Sequence, residues 1–249
     1  MLDALFPPRC CACSRFERGT FCARHASTAL EMVPPFCRVC QAPFDPLAHS
    51  DPLCRDCRDA PDTLEVARAA WVYAGGPREA IHRFKYRGKA ALAPRLAPAM
   101  LAVWQSDQTL SALRFDALCP VPLHPRRQRG RGFNQSLLLA RALSRETEVP
   151  TRELLRRTRA TTPQVGLSAR ERGPNVRGAF ALRPGADVTG QTILLVDDVF
   201  TTGATLRECA RALRRAGAIR VAALTLARQV GPDLKPMFEP PPEPELVFF

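Results

Sequence analysis

Residues 193–205 read ILLVDDVFTTGAT, and this stretch decides the fold. Four aliphatic residues lead directly into two adjacent carboxylates, Asp197 and Asp198, and a turn of small and hydroxyl-bearing residues follows. A run that is apolar on both faces is typical of a strand buried inside a parallel sheet. The core of a soluble protein does not normally end such a strand with two aspartates, so the pair indicates a binding site.

The turn after the aspartates has the composition of a phosphate-binding loop. Ligands of open parallel sheets bind where strands end and loops lead into helices. We expect the amides of residues 201–205, at the start of a helix, to form a nest for a phosphate, with Gly203 allowing close approach. Since carboxylates repel a phosphate, Asp197 and Asp198 are expected to hold the hydroxyls of an attached sugar, or a metal ion.

Strand-like and helix-like patterns alternate along the rest of the chain. Strands are predicted within residues 64–75, 115–123, 153–158, 178–182, 192–197 and 220–228. Helices are predicted within residues 77–88, 133–146 and 203–216, and within 90–105, where Pro94 and Pro98 interrupt the pattern. The alternation predicts an α/β fold with right-handed crossovers and a parallel sheet covered on both faces. We interpret Cys119 and Cys209 as small core residues.

Eight of the ten cysteines lie before residue 58, and their spacing predicts two zinc sites. Three C-x-x-C pairs and the segment CARH offer eight ligands, enough for two closed tetrahedral Zn²⁺ sites with structural roles. Disulfides are the alternative, and a cytosolic chain disfavours them. The simplest pairing is sequential, although an interleaved pairing stays open, and Cys11 or His49 could each replace a ligand. The sequential sets are Cys10, Cys13, Cys22 and His25 (the first cluster) and Cys37, Cys40, Cys54 and Cys57 (the second cluster).

The cysteine-rich segment differs in composition from the remainder, which predicts separate domains. Residues 1–62 contain few large aliphatic side chains, so metal binding would supply the free energy that folds them. We predict a double zinc-ribbon domain at 1–62, an α/β domain at 63–230 and a Pro-rich tail at 231–249. The cores of the two folded domains are expected to be separate, so that loss of a second-cluster ligand would spare the sheet.

The net charge of +12 is unevenly distributed along the chain. Residues 1–62 carry seven Arg against eight acidic residues, whereas residues 122–180 carry thirteen Arg against four Glu. Positive charge confined to one region favours a polyanionic partner such as nucleic acid or a phosphorylated ligand, with a solvated basic face as the alternative. No apolar run is long enough to span a membrane and no signal peptide is recognisable, so we expect a cytoplasmic protein without membrane insertion.

The aliphatic run, the acidic pair and the segment TTGAT together resemble the phosphoribosyl pyrophosphate (PRPP) motif of type I phosphoribosyltransferases. Phe200 departs from the aliphatic residue that is usual there. With the cysteine pairs in front, the chain resembles the ComF/GntX family, which is linked in some bacteria to competence and DNA uptake; that family more often has Cys at the place of His25. The segments that carry the resemblance are FPPRC, FKYRG with Lys85, RGFNQ at 131–135, Gln164, Leu167, Arg172, Asn175 and Phe180.

The resemblance implies a type I phosphoribosyltransferase-like domain with a parallel sheet, preceded by a small double zinc-ribbon domain. It also implies roles for residues. Asp197, Asp198 and Arg172 would be catalytic, with Arg172 on a mobile loop at 157–177, and Mg²⁺ would accompany PRPP. A loop at 121–132 would present its arginines to pyrophosphate or to a nucleic-acid backbone. The PRPP site would comprise Asp197, Asp198, Thr201, Thr202, Gly203, Ala204 and Thr205, and the arginines are Arg126, Arg127, Arg129 and Arg131.

Two functions of different classes follow from these features. The first is a PRPP-binding protein of DNA uptake, competence or single-stranded DNA handling, with PRPP or ribose 5-phosphate as ligand and DNA-uptake helicase or channel proteins as partners. The basic region 122–180 contains only Phe133 and Phe180 as aromatic residues, which weighs against base stacking there. The alternative is an active phosphoribosyltransferase of nucleotide salvage or related metabolism, which transfers the ribose 5-phosphate of PRPP to a nitrogen acceptor.

Overall fold

The sheet is the frame on which the ligand site is built. In the computed structural model, residues 7–44, 52–61, 63–86, 89–159 and 176–231 are described, apart from the side chains of 125–127. The strands are β1 Ala67–Val72, β2 Ala117–Pro120, β3 Leu155–Arg157, β4 Phe180–Leu182, β5 Thr192–Phe200 and β6 Arg220–Arg228. Four of them form a parallel sheet in the order β1-β6-β5-β2, and β3 pairs antiparallel with β4.

Helices cover both faces of the parallel sheet. They are α1 Ala23–Ala26, α2 Arg55–Arg58, α3 Gly75–Tyr86, α4 Ala93–Ser106, α5 Gln108–Ser111, α6 Pro125–Arg131, α7 Gln135–Thr147 and α8 Ala204–Arg215. Side chains alternate along β5: Leu194 and Val196 pack with α3, α4 and α7, whereas Ile193 and Leu195 pack with α8 and the β3–β4 pair. This arrangement confirms the predicted α/β class and the covered parallel sheet. Cys119 and Cys209 are fully buried in the core, as expected.

The helix α4 runs without interruption through both of its prolines, contrary to the sequence prediction. Pro94 stands in the first turn, where a missing N–H costs nothing because that group has no partner within a helix. Pro98 lies inside the helix and removes one internal hydrogen bond. The buried side chains of Leu96 and Met100 fix α4 against the sheet and outweigh that loss.

The central strand β5 is longer than its aliphatic run. A strand at 192–197 was predicted, but β5 continues through both aspartates to Phe200. The reason is its neighbour β6, which supplies pairing partners as far as Arg228, opposite Phe200. The other neighbour, β2, stops at Pro120, opposite Val196. Asp197 and Asp198 therefore lie on a strand that projects beyond one of its neighbours.

The second cluster shares a core with the parallel sheet, so the expectation of two separate cores is wrong. Its buried cysteines belong to the same apolar cluster as Leu206 of α8 and Val221 of β6. The amide of Ala67, in β1, donates a hydrogen bond of 2.6 Å to the carbonyl of Val39, between two cysteine ligands. Composition could not reveal this union because the apolar residues that join the two parts are few and far apart in sequence.

Residues 125–131 form α6, so the segment predicted as a loop at 121–132 is largely helical. Among the described residues, no helix combines the length and the apolar character needed to cross a lipid bilayer.

Candidate ligand site and zinc centres

A cavity of about 380 Å³ opens at the carboxyl end of the parallel sheet. Its volume falls within the range of about 300–1,000 Å³ that small-molecule sites occupy. It lies where β5 projects past β2, at the end of the sheet where ligands of open α/β folds bind. The lining includes both aspartates, Lys85, Tyr86, Arg131, Arg157, Thr201, Gly203 and Thr205.

Asp197 is held by two hydrogen bonds to a single oxygen. Ser136 Oγ donates to its Oδ1 at 2.8 Å, and the backbone amide of Asp198 donates to the same atom at 2.9 Å. Burial, together with the adjacent Asp198 carboxylate, raises the pKa of Asp197 to about 7. Asp197 therefore carries a proton for part of the time near neutral pH and can both donate to and accept from a ligand hydroxyl.

Asp198 forms an ion pair with Lys85 of α3. The Lys85 Nζ lies 2.8 Å from the Asp198 Oδ1, and the two side chains are only 17% and 12% exposed. Burial opposes the charge of Lys85 most strongly, but the charge and hydrogen bond of Asp198, together with Tyr73 and Asp197, outweigh it, so the pKa of Lys85 is raised. Lys85 belongs to the segment FKYRG, which carries part of the family resemblance but gave this residue no role. The structure places its ammonium group beside the acidic pair. A fixed cation and a carboxylate thus stand together in the wall of the cavity.

The loop between β5 and α8 turns sharply at Gly203. The φ angle of Gly203 is 76°, in the left-handed region that glycine adopts readily. A Cβ at this position would lie 2.7 Å from Cε1 of Phe200 and 2.8 Å from Nη1 of Arg207. The loop therefore requires glycine, as the sequence motif suggests. The first amides of a helix have no partner within the helix, and α8 begins at the next residue, beside the cavity.

The predicted PRPP residues and the predicted arginines divide into three groups. Asp197, Asp198, Thr201, Gly203 and Thr205 line the cavity, as does Arg131, whereas Thr202 and Ala204 are half-buried outside its lining. Arg129 is exposed and also lies outside the lining. The remainder fall outside the described residues or side chains: Arg126, Arg127, Arg172, and also Gln164, Leu167, Asn175 and His49.

Sequence reasoning missed several groups that the fold brings to the cavity. Ser136 could have been found, because Asn134 is a helix-capping residue that accepts a hydrogen bond from the Ser136 amide at 3.1 Å. Arg157 of β3 has no local signal. Tyr86 lies outside the basic region 122–180, yet the guanidinium carbon of Arg131 sits 5.0 Å from the centroid of its ring. The basic region therefore has an aromatic neighbour that its own sequence does not show.

The structure brings the cysteine ligands together in sequential sets, which resolves the pairing that spacing left open. Within each set the ligand atoms all lie within 4.8 Å of one another. The Sγ atoms of Cys13 and Cys22 are 3.8 Å apart, and those of Cys40 and Cys54 are 3.5 Å apart. Tetrahedral Zn²⁺ with Zn–S bonds of about 2.3 Å requires sulfur–sulfur distances of about 3.8 Å. Both sets fit zinc, and Cys11 packs in the core instead.

His25 has the surroundings of a zinc ligand. Its Nδ1 lies 3.2 Å from Sγ of Cys22 and 3.7 Å from Sγ of Cys10. Its other ring nitrogen, Nε2, lies 3.3 Å from Oε2 of Glu79 in α3. A carboxylate on the far nitrogen is the usual device that fixes the orientation of a metal-binding imidazole. In this geometry His25 would bind through Nδ1.

Comparison with known proteins agrees with this architecture. Residues 134–237 match the phosphoribosyl transferase domain and residues 1–58 match the double zinc ribbon domain. The fold and the site thus define a phosphoribosyltransferase-type domain behind a double zinc ribbon. The ribbon match and the two ligand sets support Zn²⁺ as the metal.

Three curated relatives narrow the class to a family. The chain is 37% identical to the DNA utilization protein YhgH of Escherichia coli K12 over 74% of this chain and 81% of that protein. It is 37% identical to competence protein F of Haemophilus influenzae over 59% of this chain and 66% of that protein. It is 32% identical to competence protein ComFC of Bacillus subtilis over 71% of this chain and 72% of that protein. The chain belongs to this ComF family.

Proposed function

We propose that the chain binds PRPP and acts in DNA uptake or in the handling of single-stranded DNA. The observation that carries the proposal is the single cavity that brings the acidic pair, the Gly203 loop and the cations Arg131 and Arg157 together. The names of the relatives, which refer to competence and to DNA utilization, support the biological setting.

Each part of PRPP has a matching part of the cavity. The 5-phosphate would sit on the amides of the Gly203 loop, at the electropositive start of α8. The ribose hydroxyls would contact Asp197 and Asp198, and the pyrophosphate would lie toward Arg131 and Arg157, whose guanidinium groups bind phosphate oxygens in pairs. Mg²⁺ would be held through the pyrophosphate oxygens, since protein sites for this ion usually include substrate phosphates.

The DNA would bind outside the cavity, along the basic segment. Arg129 is exposed on α6, and Arg126 and Arg127 precede it in the sequence of the same helix. Arginine side chains that neutralise phosphates bind DNA without reading its sequence. We also place the protein in the cytoplasm, where reducing conditions keep the two cysteine sets available for zinc. Helicase or channel proteins of DNA uptake are the expected protein partners.

A second candidate function is phosphoribosyl transfer itself, and the Lys85–Asp198 pair favours it. A nitrogen nucleophile would attack C1 of PRPP as pyrophosphate leaves, and positive charge would develop on the ribose ring. Asp198, fixed by Lys85 at 2.8 Å, and the partly ionised Asp197 would stabilise that charge without reorganising. Arg172, which lies outside the described residues, would contact the leaving pyrophosphate. The cavity would supply positioning and electrostatic stabilisation, which carry such reactions.

Calorimetric titration of the zinc-loaded chain, in millimolar Mg²⁺ and at two salt concentrations, tests both functions. Saturable PRPP binding together with salt-dependent binding of a single-stranded oligonucleotide is expected. Replacing Arg126, Arg127 and Arg129 by Ala should lower the slope of log affinity against log salt by about two units, since each phosphate contact contributes about 0.7. The control is Arg141→Ala with Arg145→Ala, two exposed arginines on α7 that should leave the slope unchanged.

The outcomes separate the two functions. Pyrophosphate release from PRPP on addition of nucleobases, without DNA binding, would favour the enzyme. PRPP binding and DNA binding without turnover would favour the DNA-handling role. The absence of PRPP binding would reject both.

A further inference from the structure

Arg207 connects the second cluster to the Gly203 loop, the segment between β5 and α8. It belongs to α8, and it is only 8% exposed. Its Nη1 donates a hydrogen bond of 2.7 Å to the carbonyl of Thr202, inside the loop. Its Nη2 lies 3.6 Å from Sγ of Cys57. A single planar guanidinium therefore contacts a zinc ligand with one nitrogen and the loop backbone with the other.

Arg228 forms a second connection from the end of β6. It is 7% exposed, and its Nη1 donates to the carbonyl of Cys40 at 2.6 Å while its Nη2 lies 3.8 Å from Sγ of the same residue. Its guanidinium carbon is also 4.1 Å from the centroid of the Phe200 ring. That ring lies directly against Gly203. Both arginines thus link cysteine ligands of the second cluster to the loop, Arg207 through the carbonyl of Thr202 and Arg228 through the ring of Phe200.

The charge of the second cluster explains why two arginines are buried there. Four thiolates around one Zn²⁺ carry a net charge of −2, and two guanidinium groups neutralise it. A buried cation without a partner costs several kcal/mol. The carboxylate that pairs with either arginine in the described part of the chain is Asp56, which is 3.7 Å from Nη1 of Arg207 and 66% exposed. The zinc thiolates are therefore the principal counter-charge.

We propose that Arg207 is a positioning residue through which zinc binding at the second cluster orders the Gly203 loop. With zinc bound, the thiolate charge holds the guanidinium in place, and the guanidinium holds the carbonyl of Thr202. When zinc leaves, Cys57 is no longer fixed in place, the guanidinium loses this anchor, and the carbonyl of Thr202 loses its support. Coupling between two sites is reciprocal, so a ligand on the loop retains the second zinc more tightly. Only this effect of a loop ligand on zinc retention rests on the proposed function.

Three variants test whether the two contacts of the Arg207 guanidinium are needed, rather than its charge alone or an intact helix. Arg207→Gln removes both the positive charge and the two-nitrogen guanidinium group. Arg207→Lys keeps the charge, but one ammonium group cannot span both partners as the guanidinium does. The control is Arg211→Gln, one turn further along α8, where the side chain is 45% exposed and pairs with Glu208. Circular dichroism and amide exchange in β5 confirm that each variant is folded.

Hydrogen exchange and zinc release are measured on the full zinc-loaded chain. In Arg207→Gln, the amide of residue 207, which donates to the carbonyl of Gly203 and closes the loop, should exchange at least about tenfold faster. The second zinc should pass to a chromogenic chelator at least about tenfold faster. Release of the first zinc should not change, and Cys13→Ser assigns which kinetic phase belongs to it. Arg207→Lys should retain zinc as wild type does, but the amide of residue 207 should exchange as fast as in Arg207→Gln. Arg211→Gln should change neither.

Ribose 5-phosphate tests the reverse direction of the coupling, from the loop to the second zinc. It should slow release of the second zinc from wild type by about fivefold or more, and not from Arg207→Gln. Unchanged exchange of the residue 207 amide in Arg207→Gln, full protection of that amide in Arg207→Lys, or equal acceleration of both zinc ions would overturn the proposal. If wild type binds no ribose 5-phosphate, the proposed function fails, while exchange and zinc release still decide the coupling.

Discussion

The two cysteine clusters have similar ligand spacing but different positions in the protein. The first cluster combines three thiols with His25, leaves Cys13 exposed, and lies against α3, where Arg83 donates to the carbonyls of Cys10 and Cys11 at 3.2 and 2.9 Å. The second cluster has four thiols, shares the core of the sheet, and contacts two buried arginines. The same motif thus forms a docked module in one place and a part of the α/β domain in the other.

The largest expected difference between the clusters is in the free energy of unfolding. Cys57→Ser should weaken zinc binding and leave Arg207 and Arg228 without their counter-charge, destabilising the whole α/β domain by roughly 3–5 kcal/mol. The matched variant Cys13→Ser changes an exposed ligand of the first cluster and should leave the α/β domain folded. Thermal unfolding with metal analysis measures both. Equal stability losses in the two variants, or a sheet unaffected by Cys57→Ser, would break the comparison.

A smaller and more local effect is expected at the first cluster. Glu79→Gln removes the carboxylate that faces Nε2 of His25, and zinc affinity at this cluster should fall by about 10- to 100-fold. The second cluster should keep its zinc, because Glu79 does not touch it. Competition with a chelator, read as two separate zinc equivalents, measures the change. A uniform loss from both sites would mean that the clusters are not independent in this respect.

The smallest effect concerns the cavity and should leave both clusters unchanged. The pKa of Asp197 is about 7, raised by burial and by Asp198, whereas in the unfolded chain it would be near 3.9. Between these values the folded state binds the extra proton, so stability falls as pH rises from about 4 to about 7. Asp197→Asn removes this dependence. Wild type should lose on the order of 1–2 kcal/mol more than the variant between pH 5.5 and 8.

Denaturant unfolding at the two pH values measures that difference, and zinc content should be the same in both proteins. The control is Glu153→Gln, which alters a half-exposed carboxylate paired with Arg183 at 3.1 Å. A pH dependence that persists in Asp197→Asn would show that another group titrates.

Local patterns predicted most of the fold. The last strand was placed at 220–228 and is Arg220–Arg228, because its apolar run is bounded by Gly217 and by the polar end of the segment. The acidic pair and Gly203 were identified because an unusual charge and a conformational requirement are visible at single positions. The start of α7 was also legible from Asn134.

Contacts that cross the sheet could not be predicted from the sequence. Ser136 and Asp197 are 61 positions apart, Arg207 and Cys57 are 150 apart, and Arg228 and Cys40 are 188 apart. Nothing in the pattern near any of these residues indicates its partner, because such pairs depend on strand order. For the same reason the second cluster was interpreted as part of a separate domain.

We propose that the end of β5 binds a phosphorylated ribose, and calorimetry on the variant Asp197→Asn/Asp198→Asn tests this most directly. The variant keeps side-chain size but loses charge-assisted hydrogen bonds worth roughly 1.5–3 kcal/mol each. PRPP and ribose 5-phosphate should bind at least about tenfold more weakly, while inorganic phosphate, which needs neither carboxylate, should bind at least as tightly as in wild type. An equal loss of affinity for all three, or no loss for any of them, would contradict the claim.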